Sequence, residues 1–178
     1  MHGIRFHSLL SRAILIAIVG LQLGCGYALV GRASNLPSDV HKIFVKPLEN
    51  RTTRSQVEQY LTRAVADELV SRQRFQVVND ASSADAVLSG AVTAFNATPV
   101  TFDSSGRATE YEITIIAQVA LKRAGSGTVL WSNDNYLFRE NYPVEVSSAG
   151  FFDEQNLALQ QVSKKFAETL VSDLQEGF

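Results

Sequence analysis

The sequence predicts an α+β fold of two layers, in which two amphipathic helices pack on one face of a four- to five-stranded, mostly antiparallel sheet. Two segments repeat apolar residues every three or four positions, as helices with one buried stripe do. A third segment, from Tyr111 to Leu121, places apolar residues at every second position, which is typical of a strand with one buried face. Two helices with one apolar stripe each need a common surface to cover, and a single sheet supplies it.

The chain opens with a targeting segment. Arg5 and Arg12 precede an apolar run from Ala13 to Val19, and the segment Gly20–Gly24 then places a small residue next to Cys25, the only cysteine. This order is typical of a secretory signal that ends at a lipid-attachment cysteine, and the run is too short for the ~20 residues of a spanning helix. We therefore expect residues 1–24 to be removed and Cys25 to become the acylated first residue. The alternative is an ordinary signal peptide followed by a free thiol.

Composition limits the kind of partner. The formal net charge is −2, and removal of the leader takes away two arginines and no acids, so the mature chain is more acidic still. Because nucleic-acid-binding proteins normally present a basic face, we expect no nucleic-acid partner. Residues 25–40 contain chain breakers and are expected to form a lipidated tether. Residues 41–178 are long enough for a single α+β domain.

The first strand and the first helix follow the tether. The apolar run of Lys42–Lys46 is expected to form a short strand that Pro47 closes. A helix is expected from Ser55 to Arg72, where Ser55 and Glu58 match a capping box. Its apolar stripe consists of Val57, Leu61, Val65 and Leu69.

Several strands are expected in the middle of the chain. Phe75–Val78 is a short one, and Ala86–Phe95 is longer and contains Gly90. A glycine inside a strand indicates a bulge or a close backbone approach. Pro99 and the polar run Asp103–Gly106 predict a loop before the alternating strand.

The last part of the chain is expected to form a hairpin arm and a second helix. Ala124–Gly127 has the composition of a hairpin turn, and a strand follows it from Val129 to about Tyr142. Pro143–Gly150 is expected to be a loop. The terminal helix is expected from Asp153 to Leu174, with Asp153 as its N-cap.

No catalytic or metal-binding constellation is visible. The expected mature chain has one histidine, His41, and no G-x-S-x-G elbow that could supply a serine nucleophile. Metal sites need several cysteine or histidine ligands, which this chain lacks. The sequence therefore predicts a protein without enzymatic activity, cofactor or metal. A periplasmic hydrolase that uses His41 is the remaining enzymatic hypothesis.

Two groups of residues are candidates for binding. Arg107, Lys122 and Arg123 flank two predicted turns, and they would form a small cationic tip if both turns lay at the same end of the sheet. Phe151 and Phe152 are expected in the loop before the last helix, where they could dock a partner, because aromatic residues often anchor interfaces. The alternatives are solubility for the cations and core packing for the aromatic residues.

A set of short motifs runs through these elements in order. They are Cys25-Gly26-Tyr27, Leu36-Pro37, Ile43-Phe44-Val45-Lys46-Pro47, Glu49-Asn50-Arg51-Thr52, Leu61-Thr62-Arg63-Ala64, Ala84-Asp85-Ala86-Val87-Leu88-Ser89-Gly90, Tyr111 and Val129-Leu130-Trp131. In this order the motifs resemble the LptE family of lipopolysaccharide-assembly lipoproteins, and the resemblance covers nearly the whole mature chain.

The resemblance implies a fold, a location and partners. It implies a βα sandwich that a lipid on Cys25 anchors at the inner leaflet of the outer membrane, facing the periplasm. Such a protein plugs a β-barrel lipopolysaccharide translocon, helps that barrel to fold and supports lipopolysaccharide transport to the cell surface. The expected partners are therefore the barrel protein and lipopolysaccharide, whose phosphates a cationic tip of Arg107, Lys122 and Arg123 would suit.

A second resemblance gives an alternative function. The first strand, the first helix and the Ala84–Gly90 stretch also resemble curli-type secretion-pore subunits. A protein of that kind would form homo-oligomeric rings rather than fill a barrel. The two functions therefore differ in the partner they predict.

Overall fold

The computed structural model describes residues 36–144 and 151–176, the last range with side chains from Leu157 onward. The elements are β1 (Lys42–Val45), β2 (Glu49–Asn50), α1 (Val57–Ser71), β3 (Gln76–Val78), a 3₁₀ turn (Ala81–Ser83), β4 (Ala86–Phe102), β5 (Ala108–Arg123), β6 (Val129–Pro143) and α2 (Phe151–Glu176). The leader, Cys25 and most of the tether lie outside these residues. Neither of the helices in the described ranges is both long and apolar enough to cross a membrane.

The strands form one mixed sheet in the order β3-β1-β4-β5-β6, with β2 also paired to β4. β1 lies parallel to β3 and β4, whereas the long strands β4, β5 and β6 are antiparallel to one another. The predicted α+β class with a mostly antiparallel sheet is confirmed. The additional strand β2 arises because Pro47 has no N–H to donate, so pairing with β4 stops after β1 and resumes where Glu49 lies beside Ala91.

One face of the sheet is buried by the two helices. On β5 the buried residues alternate along the strand, and both predicted helical stripes are less than 3% exposed. The core residues that β5 and the two helical stripes contribute are Val57, Leu61, Val65, Leu69, Ile113, Ile115, Ala117, Val119, Leu121, Leu159, Val162, Phe166, Leu170 and Leu174. Both helices therefore cover the same face of the sheet, as the spacing predicts.

Aromatic and polar contacts hold α2 against β6. The Phe166 ring is fully buried, and its centroid lies 5.6 Å from that of Tyr136 and 5.7 Å from that of Phe138, both edge to face. The Tyr136 hydroxyl donates to Asp173 Oδ2 at 2.7 Å. Burial, and then this bond, raise the pKa of Tyr136, so the hydroxyl remains a donor.

The start of α1 differs from the prediction. The helix begins at Val57, after Gln56 in the left-handed region at φ 66°, and no side chain caps it. The predicted capping box of Ser55 and Glu58 is therefore wrong. The Glu58 carboxylate instead accepts a bond from Asn50 Nδ2 at 2.7 Å, which couples the helix to the preceding turn.

The β4–β5 hairpin is longer than predicted. β4 runs well past Phe95 to Phe102, and its last residues are exposed, because they extend beyond the layer of helices. Pro99 is tolerated there because the pairing register shifts just after it. The close backbone approach predicted at Gly90 is confirmed, since a Cβ there would lie 2.1 Å from the Gln118 carbonyl oxygen.

The second helix starts earlier than predicted. It begins at Phe151, so Asp153 is not its N-cap, and Phe151 and Phe152 belong to the first turn of α2 rather than to a loop. Phe152 precedes the buried Leu159 by two helical turns, so the aromatic pair continues the helical spacing.

Candidate functional site

The sheet face opposite the helices is not covered by either helix. On β5 it consists of the even-numbered residues Glu110, Glu112, Thr114, Ile116, Gln118, Ala120 and Lys122. We call these residues and their neighbours on β4 and β6 the open face. The odd-numbered residues of β5 are in the core, so strand alternation alone directs this set away from it.

A polar cleft of about 330 Å³ lies at one end of the open face. Its floor consists of small residues, namely Ser89, Gly90, Ala91 and Ala120. Longer side chains surround the floor, namely Lys46, Glu49, Arg51, Gln118, Lys122 and Asp134. The cleft exists because two adjacent strands, β4 and β5, present small residues where the surrounding positions carry longer polar and charged side chains.

The turn after β2 builds one wall of the cleft, and Asn50 holds it in place. Asn50 Nδ2 donates to the Arg54 carbonyl at 2.8 Å and to Glu58 on α1. Asn50 Oδ1 accepts bonds from the Thr52 N–H at 2.9 Å and from the Thr52 hydroxyl at 2.8 Å. The polar motif Glu49–Thr52 is therefore a structural turn that also directs one charged side chain, Arg51, into the cleft.

The charges in the cleft are not equivalent. Arg51 donates to Glu49 Oε2 at 2.8 Å and to Gln118 Oε1 at 3.2 Å. The hydrogen bond from Arg51 holds the pKa of Glu49 below its usual value, so this pair stays ionised and mutually compensated. Within the described ranges, Lys46 and Lys122 take part in no ion pair. These two ammonium groups are therefore the cations that remain available to an anionic ligand.

The predicted cationic tip is not a single cluster. Arg107 precedes β5 and Arg123 ends it, so the two lie at opposite ends of a strand about 50 Å long. Arg107 Nε lies 3.0 Å from Asp103 Oδ2, while Arg123 donates to both oxygens of Asp39 at 2.7 and 3.2 Å. Of the three predicted residues, only Lys122 lies at the cleft.

Hydrogen bonds to these arginines keep both acids ionised. The pKa of Asp39 is lowered first by the side-chain bond from Arg123. The pKa of Asp103 is lowered first by the backbone N–H of Arg107. Arg107 thus stabilises the turn that contains Asp103, and Arg123 binds Asp39 just before β1. Because each arginine is paired with an acid, neither is available to bind a ligand.

The remaining predicted residues cannot be placed in a site. Cys25 lies outside the described residues, as do the side chains of Phe151 and Phe152, although the backbone of the last two lies in α2. His41 is exposed, and its backbone N–H donates to Asp85 Oδ2 at 2.9 Å. Across residues 36–144 and 151–176, no three His, Cys, Asp or Glu residues are grouped as metal ligands would be.

The sequence did not reveal that Lys46 lines the same cleft as Lys122. Lys46 is next to β1, which pairs in parallel with β4, and Val87 of β4 pairs with Lys122. The two lysines are far apart in sequence, and only this three-strand register brings them to one cleft. The alternation along a strand predicts which sheet face each residue lies on. Which residues of other strands lie next to it depends on how the strands pair.

The fold and the open face together define a class of protein, namely two-layer α+β domains with one bare, polar sheet face. The family model for lipopolysaccharide assembly, LptE, matches residues 40–174. This chain belongs to the LptE lipopolysaccharide-assembly family. A search of curated proteins gives no match.

Solved structures share the fold at low sequence identity. Hypothetical protein CT253 of Chlamydia trachomatis has a TM-score of 0.54 at 8% identity, covering 76% of this chain and 96% of that one. The PelC dodecamer of Paraburkholderia phytofirmans has a TM-score of 0.51 at 21% identity, covering 79% and 92%. Protein XCC0632 of Xanthomonas campestris has a TM-score of 0.51 at 16% identity, covering 80% and 88%. At these identities the likeness shows the fold alone.

Proposed function

We propose that this protein is a non-enzymatic, lipid-anchored outer-membrane lipoprotein that plugs a β-barrel lipopolysaccharide translocon and assists its assembly. The observation that carries this proposal is the LptE family match over residues 40–174. The open face supports it physically. Barrel interiors are polar, and a bare sheet face with both signs of charge can form hydrogen bonds and ion pairs with such a wall.

The membrane link in this proposal is a lipid on Cys25. Each buried acyl CH₂ contributes ~0.8 kcal/mol, so two or more acyl chains hold a protein at a bilayer stably. A Cys25→Ser variant should therefore leave the membrane fraction. Mass spectrometry of the wild type should find fatty acids on the N-terminal cysteine, and a Cys25→Ser protein that stays membrane-bound would contradict the anchor.

Within this function, the cleft is the proposed contact for lipopolysaccharide phosphates. Lys46 and Lys122 supply two ammonium donors that form no ion pair within the described ranges, although the charge of Lys46 helps to lower the pKa of Glu49. Charge-assisted bonds from lysine to phosphate are among the stronger hydrogen bonds in proteins. Phe151 and Phe152, at the start of α2, remain proposed docking residues for the barrel.

The experiment that tests the proposal is a detergent pull-down of the native, full-length protein from its own membranes. We expect an outer-membrane barrel to co-purify in a one-to-one ratio, identified by mass spectrometry, and depletion of the protein to leave lipopolysaccharide in the periplasm. Recovery of the protein free of any barrel would overturn the plug role.

One alternative has an observation in its favour. The PelC structure that shares this fold is a dodecamer, and curli-type subunits would also assemble into rings. A ring predicts a mass near that of about a dozen chains in light scattering of the detergent-solubilised protein, without a barrel. A complex of one chain with one barrel excludes the ring.

A further inference from the structure

The charges of the open face are arranged so that a two-fold rotation brings opposite charges of two copies together. We propose that it is an interface with a second copy of this chain, formed when two sheets pack face to face about a two-fold axis above Ile116 and Leu137. These two residues are direct cross-strand partners on β5 and β6. Leu137 is 47% exposed, so an apolar residue marks the centre of a face whose ends are charged.

Strand β5 shows the symmetry most directly. Glu110 lies six residues before Ile116, and Lys122 lies six residues after it, all on the open face. A two-fold axis that is perpendicular to the strands and parallel to the sheet reverses β5 of the second copy. Lys122 of one copy then faces Glu110 of the other, and the reciprocal pair forms at the opposite end.

The charges on strand β6 independently support the same two-fold axis. Arg139 is the partner of Thr114 on one side of the axis. Asp134 lies on the other side, in the irregular stretch of β6 beside Gln118. The rotation that pairs Lys122 with Glu110 also brings Arg139 of one copy toward Asp134 of the second, while Leu137 meets its own symmetry mate. Two strands thus place opposite charges together under one operation.

These four charges form no ion pair within residues 36–144 and 151–176, although the Glu110 carboxylate accepts a hydrogen bond from the Thr101 hydroxyl at 2.8 Å. Each ion pair found there involves other residues, such as Arg51 with Glu49 and Arg123 with Asp39, and none includes Glu110, Lys122, Asp134 or Arg139. The arginines at the turns are ion-paired within the chain, whereas Glu110, Lys122, Asp134 and Arg139 are available for ion pairs with a second molecule.

The size of the face sets the strength of the dimer. From Glu110 to Lys122 the face is about 40 Å long, and three strands make it about 14 Å wide, or about 600 Å² per copy. Specific interfaces bury about 1,200–2,000 Å² in total, so this one is at the lower end. We therefore expect a concentration-dependent dimer. Sheets that stack in this way pack about 10 Å apart with strand directions within about 30°.

Cysteine cross-linking of the full-length protein tests the geometry. Because Leu137 faces its own symmetry mate across a gap too wide for a direct disulfide, Leu137→Cys should give a covalent dimer with a short bis-maleimide. The matched control is Val70→Cys, since Val70 is 56% exposed but lies on α1 in the other layer. Wild type gives the background, which is expected to be low because the proposed lipid blocks the Cys25 sulfur. A Leu137→Cys yield no higher than that of Val70→Cys would overturn the proposed interface.

A charge exchange tests the pairing. Glu110→Lys and Lys122→Glu should each weaken the dimer about tenfold in sedimentation equilibrium, because each removes two ion pairs and sets like charges opposite one another. The double variant should restore the wild-type constant, and so should an equal mixture of the two single variants as a heterodimer. If the single variants dimerise more weakly and neither the double variant nor the mixture restores dimerisation, Glu110 and Lys122 do not face each other.

The proposed dimer is tested separately from the proposed plug function. The dimer is measured on the purified protein alone, whereas the plug is scored by recovery of a barrel from membranes. A barrel lumen would cover the same open face, so the dimer is the form expected before that partner is bound. Either proposal can therefore fail while the other stands.

Discussion

Asp85 connects three segments at the residue scale. Its carboxylate accepts the backbone N–H groups of His41 at 2.9 Å and Lys42 at 2.7 Å. Its own N–H donates to the Lys42 carbonyl at 2.8 Å, and its carbonyl accepts the Ala124 N–H at 2.9 Å. One acid thus ties the start of β1 and the β5–β6 turn to the start of β4. This explains an aspartate at this position in the Ala84–Gly90 motif.

Replacing this carboxylate should lower stability in a pH-dependent way. Asp85→Ala removes two charge-assisted bonds and should reduce the free energy of unfolding by about 1–3 kcal/mol at pH 7. The backbone bonds, that of Lys42 first, lower the pKa of Asp85, so the contribution is complete above the unfolded pKa of about 3.9 and is lost as pH falls through the lower folded pKa. Urea unfolding at pH 7 and near pH 2 measures both.

The control for Asp85 is an acid without such bonds. Asp67 is exposed on α1 and lies 3.8 Å from Arg63, so Asp67→Ala should change stability by less than about 0.5 kcal/mol. If the deficit of Asp85→Ala were equally large near pH 2, its cause would be packing rather than the ionised carboxylate.

Residue-level reasoning from sequence succeeded where the cause was local. Gly90 was identifiable because a strand tolerates glycine poorly unless a backbone comes close, and here the Gln118 carbonyl does. The capping box failed because Glu58 had a competing partner, Asn50, eight residues earlier in a turn whose shape the sequence does not reveal. Side-chain bonds between elements depend on where those elements meet.

At the scale of elements, α2 depends on one buried ring. Phe166 is fully buried between Tyr136 and Phe138, so Phe166→Ala should destabilise the protein by about 3–5 kcal/mol through lost apolar burial and a cavity. Leu157→Ala on the same helix is the matched control, because Leu157 is 54% exposed and should cost less than about 0.5 kcal/mol. Chemical denaturation followed by circular dichroism compares the two. Similar losses in both would mean that α2 is not held by this aromatic cluster.

Element types were predictable because burial imposes a period. The four-residue spacing from Val57 to Leu69 and the alternation of β5 both reflect a single buried face. Element ends were harder, since the hairpin tip of β4 and β5 is held by cross-strand pairing beyond the core and carries no burial pattern. The prediction that Arg107 and Arg123 share one cationic tip was wrong, because the turns before and after a strand lie at its opposite ends.

At the scale of the whole molecule, the two sheet faces have different roles. One face packs against the helices and explains the fold, while the other carries the cleft and several charges that form no ion pair among the described residues. The sequence reveals which residues are on each face, but which of them are neighbours follows from the mixed strand order. Lys46 and Lys122 are the clearest case, since a parallel and an antiparallel pairing together bring them to one cleft.

The charge of this cleft should decide its affinity for lipopolysaccharide. Lys122→Glu replaces one of the two available cations by an anion beside the compensated Arg51–Glu49 pair, so phosphate binding should weaken about tenfold or more, with the fold intact by circular dichroism. Lys164→Glu is the matched control, because it makes the same charge change at an exposed side chain of α2, 3.9 Å from Glu168. Binding of the full-length variants to purified lipopolysaccharide, at two salt concentrations, measures the difference. Equal affinity for both variants would remove Lys122 from the binding site, and an equal loss in both would show a response to net charge alone.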